Sequence, residues 1–154
     1  MLFGSSWRKF NVSSIFTLLE NKVYPLLKYI SDSRDGGHKS ALAFVQQLVN
    51  GYRLITTNYV LDETYTLLLM NAGYQTTLDF KQRIDIMIES QVLEVVWIDE
   101  AIALESWQIF EQFNIDKQWS FTDCTSYVVM KQRGIAEAFT LDRHFAQMGF
   151  TKYP

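Results

Sequence analysis

A single cysteine, Cys124, leaves this chain of 154 residues unable to close an internal disulfide or build a zinc site on several thiolates. A reducing cytoplasm is the expected setting. The only prolines are Pro25 and Pro154, and no repeat or low-complexity run interrupts the chain, so no linker is advertised. The expectation is one domain, residues 1–154, with residues 1–28 its atypical part. Positive charge is scarce too. Lys and Arg number 14 against 17 Asp and Glu, and a net charge of -3 argues against nucleic-acid binding through bulk positive charge. Bound cations would have to supply the countercharge for any phosphate-ester substrate. No apolar run approaches the ~20 residues that span a bilayer, so no membrane partner is expected. Arg8 and Lys9 ahead of Val12-Ser13-Ser14-Ile15-Phe16-Thr17-Leu18-Leu19 have the layout of a signal peptide. That stretch lacks a small-residue cleavage site and ends in Glu20-Asn21-Lys22, which argues against secretion. The last absence is aspartate: none precedes Asp32, and Glu20 is the only acid before it.

What remains is ample core material, 48% hydrophobic and 15% aromatic. Tyr52-Arg53-Leu54-Ile55-Thr56-Thr57, bounded by Asn50-Gly51, reads as a strand. Asn58 is placed to cap a helix running to about Met70, with Gly73 stopping it. A second helix is expected from about Thr77 to Ser90, burying Leu78, Ile84, Met87 and Ile88. Val92 to Ile98 is the clearest buried strand, followed by Asp99 as the cap of a helix that turns Ile102, Trp107, Phe110 and Phe113 inward. Ser120 opens a further helix ending at Gly134, and Ala136 to Leu141 forms another strand. Strands alternating with helices predict βαβ units and a parallel sheet. Earlier, 39–49 looks helical, and the first strand has three candidates: Met1 to Phe3, Ser14 to Leu19 and Tyr24 to Ile30.

In open α/β sheets ligands bind beyond the carboxyl ends of the strands. Asp142 directly follows a strand, Asp123 lies in the first turn after Ser120, and Glu63 lies early in the helix after Thr57. All three can reach one sheet edge. Hard cations such as Mg²⁺ and Mn²⁺ take a few carboxylates plus waters and substrate phosphate, and such an ion readies water for attack on a phosphodiester. Each acid also has a purely structural reading. Asp123 with Ser120 makes a capping box, on that feature alone the commoner explanation; Glu63 complements a helix dipole; Asp142 caps the segment from Arg143 to Met148. It is their joint placement that points to chemistry.

Asp99 and Glu100 read as structural, and Asp116 as a solvated loop acid near the rim. Cys124 has no histidine partner and is no candidate nucleophile. His38 and His144 lie too far apart for a zinc motif and read as surface or packing residues. Thr122, beside Asp123, is a candidate to hold a phosphate oxygen or a water of the metal, against a default of local hydrogen bonding.

Three blocks, Thr56-Thr57-Asn58-Tyr59-Val60-Leu61-Asp62-Glu63-Thr64, Ser120-Phe121-Thr122-Asp123-Cys124 and Thr140-Leu141-Asp142-Arg143-His144-Phe145, together resemble the PIN domains, especially the VapC-type toxin ribonucleases. Arg34-Asp35-Gly36-Gly37-His38-Lys39-Ser40-Ala41 is similar to the segment before that family's second strand. The resemblance implies a three-layer α/β/α fold with a mainly parallel sheet, and an endoribonuclease that hydrolyses RNA with Mg²⁺ or Mn²⁺. It assigns Glu63, Asp123 and Asp142 as metal-site and catalytic carboxylates, and implies a small antitoxin protein as partner and a homodimer.

The departure from the family lies at the amino end, where a strand ending in Asp would fall near Val23-Tyr24-Pro25 and no such acid stands. Three explanations are open: Glu20 substitutes, activity is largely lost while the fold persists, or the amino end comes from a disturbed reading frame. Losing one of four ligands weakens metal binding and slows hydrolysis. The rival function is a catalytically inactive PIN-fold module that binds an antitoxin or RNA. A receiver-type Mg²⁺-binding domain would need paired acids after the first strand, which are lacking.

Overall fold

The strand that crosses the middle of the sheet runs against all its fellows. In the computed structural model, which describes residues 17–20, 53–139 and 142–153, β1 (Thr17–Glu20) sits at the centre of a five-stranded sheet of order β3-β2-β1-β4-β5. The other strands are β2 (Arg53–Thr57), β3 (Leu93–Val96), β4 (Glu137–Phe139) and β5 (Thr151–Tyr153). β2 pairs parallel with β3 and β4 parallel with β5, whereas β1 pairs antiparallel with both β2 and β4. Four strands therefore point one way, and the mainly parallel sheet read from the sequence has one reversed member. Of the three candidate first strands, β1 overlaps Ser14 to Leu19; the other two, and the helix expected over 39–49, lie outside the described residues.

β2 is buried from Leu54 through Thr57, as a strand covered on both faces must be. Its last residue, Thr57, accepts a hydrogen bond from Val60 N at 3.1 Å and so caps α1 (Asn58–Ala72). The expected cap, Asn58, is one position too late. Its side chain is used elsewhere: Oδ1 accepts from Ile98 N at 2.8 Å, tying the start of α1 to the exit of β3. Gly73, at φ 85°, ends α1 as expected, and its N–H donates to Leu68 O.

α2 (Tyr74–Glu89) buries Phe80, Ile84 and Met87, spaced i, i+4, i+7. Leu78 and Ile88, expected inward, are 37% and 40% exposed: Leu78 stands off that stripe and Ile88 lies at its edge. Asp99 caps α3 (Glu100–Phe113), accepting from Ile102 N at 2.9 Å. α3 buries Ile102 and Ser106 and leans Phe110 and Phe113 on the core. Trp107 departs from expectation: it is 49% exposed, its ring lying 4.5 Å from Phe121 and 5.3 Å from Phe110 at the core's edge.

The best-buried helix is α4 (Phe121–Arg133), in which Thr122 to Ser126 and Val128 to Met130 are all buried. Ser120 opens it with a capping box and Gly134, in the left-handed region at φ 66°, closes it. Its apolar face meets Ile55, Val60, Ile135, Ala138 and Phe145 in one cluster. A single turn, α5 (His144–Gln147), links β4 to the unanticipated edge strand β5.

Asn58→Ala removes the one acceptor assigned to a half-buried backbone N–H. We expect a loss of about 1–2 kcal/mol in urea unfolding; an unchanged midpoint would show that the tie carries no stability.

Candidate metal centre at the carboxyl rim of the sheet

β2 and β4 are separated by β1, so their carboxyl ends stand about 10 Å apart, two strand spacings. The amino-terminal turn of α4 bridges that gap. On one side Thr122 Oγ1 donates to Glu63 Oε1 of α1 at 3.2 Å. On the other, Asp123 Oδ2 lies 3.3 Å from His144 Nδ1, which lies 3.3 Å from Asp142 Oδ1.

Asp123, Asp142 and His144 offer donor atoms all within 4.8 Å of one another, the one such group among the described residues. Two of the three acids singled out in the sequence thus converge directly. Glu63 is outside this trio and reaches it through Thr122. His144, set aside as a packing or surface residue, stands between the two aspartates. The signal that could have found it is its spacing of two from Asp142 across a tight turn, where its own N–H donates to Asp142 Oδ1 at 2.8 Å.

Asp123 does two things with one carboxylate. Oδ2 accepts from Ser120 N at 2.8 Å while Asp123 N donates to Ser120 Oγ at 3.0 Å, completing the capping box. The structural reading of Ser120 and Asp123 is therefore correct, yet it does not compete with the second role. Burial pushes the Asp123 carboxyl above its usual range and the Asp142 charge adds to this, while hydrogen bonds from Ser120 and His144 pull the other way. Glu63 Oε2 is buried with no hydrogen-bond partner. An orphaned carboxylate oxygen costs stability of order 1–3 kcal/mol or more, and a cation answers that demand. A buried, repelled aspartate and an unmet oxygen of this kind fit a site built for a divalent cation.

The remaining candidates sort cleanly. Burial pushes the Cys124 thiol up to about 12, so it stays protonated and is no nucleophile. Asp99 is a cap, and Asp116 pairs with Lys117 at 2.7 Å in an exposed loop. The stretch near Val23 lies outside the described residues, but Glu20 does not. Its register partner is Arg53, at the start of β2, roughly 13 Å along the strand from Thr57. Because β1 is reversed, Glu20 lies at the opposite rim and cannot stand in for the missing acid.

A PIN domain model matches residues 26–151. The chain belongs to the PIN domain family. The 23S rRNA-specific endonuclease VapC20 of Mycobacterium tuberculosis is 26% identical over 134 residues, covering 87% of this chain and 95% of the relative. A VapC ribonuclease of Archaeoglobus fulgidus is 31% identical over 101 residues, 64% of this chain and 62% of that protein. The crystal structure of VapC20, described as a toxin cleaving the sarcin-ricin loop, superposes with a TM-score of 0.60 at 23% identity, covering 80% of this chain and 91% of that one. The fold is thus that of a PIN domain. Residues 1–25 fall outside the family match.

A carboxyl whose folded value lies above its unfolded one keeps its proton longer in the folded chain. Between those values the folded state binds more protons, so stability falls as pH rises from about 4 through the raised value and is flat above it. We expect Asp123→Asn to abolish this decline in protein held in EDTA, read as thermal midpoint against pH. A decline of equal size in the variant would assign it to other groups.

Proposed function

We infer that this chain is a metal-dependent endoribonuclease hydrolysing RNA phosphodiester bonds, toxin-like, with Glu63, Asp123 and Asp142 as its metal-site and catalytic carboxylates. The observation that carries the reading is the convergence of Asp123 and Asp142 within 4.8 Å, with Glu63, one oxygen orphaned, tied to the neighbouring Thr122. RNA as substrate rests on the relatives, named as 23S rRNA-specific endonuclease and ribonuclease. The cofactor is Mg²⁺ or Mn²⁺.

Held by Glu63, Asp123 and Asp142, a bound cation would neutralise substrate phosphate and lower the pKa of its own water toward neutrality. The chain's own residues set the stage for it. Asp123 and Asp142 present oxygens from two elements fixed independently, one by the capping box of α4 and one by the turn after β4. Thr122 spends its proton on Glu63, orienting that carboxylate; only its oxygen lone pairs remain to meet substrate or water. With a net charge of -3 the chain has no excess of cationic side chains to draw in RNA, so phosphate charge must be met locally.

A small antitoxin partner and a homodimer follow from the family resemblance. Exposed Leu69, Met70 and Tyr74 on α1 and α2, and a groove of about 740 Å³ lined by Tyr65, Ile88 and Trp97, favour a protein partner. No described helix is long and apolar enough to cross a membrane, and a cytoplasmic location accords with the reduced Cys124.

A second reading has its own support. Glu20 stands at the wrong rim, so no described carboxylate replaces the missing amino-terminal ligand. On this reading the chain is a catalytically inactive PIN module that binds an antitoxin or RNA. The two are separated by RNA cleavage with Mn²⁺. Measurable cleavage that falls roughly 100-fold in Asp123→Asn is expected. Equal cleavage by both proteins would remove Asp123 from the mechanism. No cleavage by either, with RNA or antitoxin still bound, would select the binding module.

A further inference from the structure

We propose that His144 is a direct ligand of the cation at this rim, its ring nitrogen joining the oxygens of Asp123 and Asp142 in the donor set. The proposal rests on the metal-dependent reading above and adds to it a donor type and an ion preference.

The spacing carries the argument. His144 Nδ1 is 3.3 Å from Asp123 Oδ2 and 3.3 Å from Asp142 Oδ1. Adjacent donors around an octahedral ion with ligands at ~2.1 Å lie about 3.0 Å apart, and around a tetrahedral ion with ligands at ~2.0 Å about 3.3 Å apart. The nitrogen stands at that spacing from both carboxylates, and the donor atoms of all three residues lie within 4.8 Å of one another. The competing explanation is a hydrogen bond from the ring to the acids. A charge-assisted N–H to carboxylate bond closes to about 2.7–2.9 Å, so at 3.3 Å the ring makes at most a long bond shared between the two acids in the ion-free chain. Equal approach to both acids leaves the nitrogen where an ion shared with them would draw on all three residues, replacing that long bond.

The ring is also held in place. Its backbone N–H is bonded to Asp142 Oδ1, and the next residue, Phe145, is fully buried in the core. The His144 side chain is 19% exposed, leaving a path for an ion and its waters. Glu20, the one acid of the amino end, is ruled out by register. The site therefore has two firmly convergent oxygens and one nitrogen. Imidazole is a softer donor than carboxylate and suits Zn²⁺, Ni²⁺ and other later divalent metals, whereas all-oxygen sites suit Mg²⁺. The expected consequence is a preference for Mn²⁺ or Co²⁺ over Mg²⁺ wider than three carboxylates would give.

The chain has two histidines, so a ligand nitrogen can be assigned outright. Pulsed EPR of Mn²⁺ bound to the full chain should show coupling to one histidine nitrogen, retained in His38→Gln and lost in His144→Gln. Titration calorimetry should show Co²⁺ affinity falling about 10-fold or more in His144→Gln with Mg²⁺ affinity little changed, while His144→Asp shifts preference toward Mg²⁺. Thermal unfolding in EDTA checks that the variants fold. Nitrogen coupling that survives His144→Gln, or equal Co²⁺ affinity in that variant, overturns the proposal. If Asp123→Asn still abolishes binding in that case, only the ligand assignment fails. If Asp123→Asn binds as well as the parent, the metal centre itself is elsewhere and the wider reading fails with it.

Discussion

The placement of two like-charged carboxylates, Asp123 and Asp142, against one imidazole is the constraint around which the rim of the sheet is organised. Left alone, the pair is unfavourable: burial and mutual repulsion both disfavour the charged form of Asp123. Such an arrangement persists because the rest of the fold over-determines it. α4 is buried along nearly its whole first half, so its amino terminus cannot retreat, and Asp142 is held by a local turn whose neighbour Phe145 is locked in the core. The stability lost at the rim is offset by packing beneath it, which is the usual relation between a site and its scaffold.

The capping box shows how one residue serves both sides of that relation. Asp123 closes the open end of α4, a task that needs only an acceptor at the third helical position. The same carboxylate oxygen faces His144. Capping fixes the rotamer, and a fixed rotamer is what a coordination site demands of its ligands. Thr122 extends the logic to α1, because its single hydroxyl donor holds Glu63, fifty-nine residues distant in the chain, toward the same turn.

Legibility in the sequence followed the range of the interactions involved. The α4 helix from Ser120 to Gly134, the Asp99 cap and the Gly73 stop are local matters, decided within three or four residues, and all three were readable. The cap of α1 falls on Thr57 and not on the expected Asn58, two neighbours that are both competent acceptors. The choice was made by Ile98, forty residues away, whose N–H claims Asn58. Spacing turns Leu78, Ile88 and Trp107 inward, but how far each is covered depends on neighbours that periodicity does not name. His144 is inconspicuous in the sequence for the same reason. Its sequence environment is that of a helix-turn residue, and only the approach of α4 from the far side gives its ring two acids to face.

The reversed central strand separates what specifies the fold from what specifies the chemistry. Sheet pairing is made by backbone N–H and C=O groups, which any extended segment supplies. Thr17–Glu20 can therefore fill the middle of the sheet in either direction, bonding to β2 on one side and β4 on the other. A metal ligand is less forgiving, because a strand delivers its terminal side chain only at the rim toward which it runs. Reversal keeps the hydrogen bonds and sends Glu20 to the end of the sheet where Arg53 begins β2, remote from Asp123 and Asp142. The architecture thus keeps its pairing without bringing Glu20 to that rim, where the donors beside the two aspartates are what the described rim itself holds. Among the described residues that is the ring of His144, together with the unmatched oxygen of Glu63.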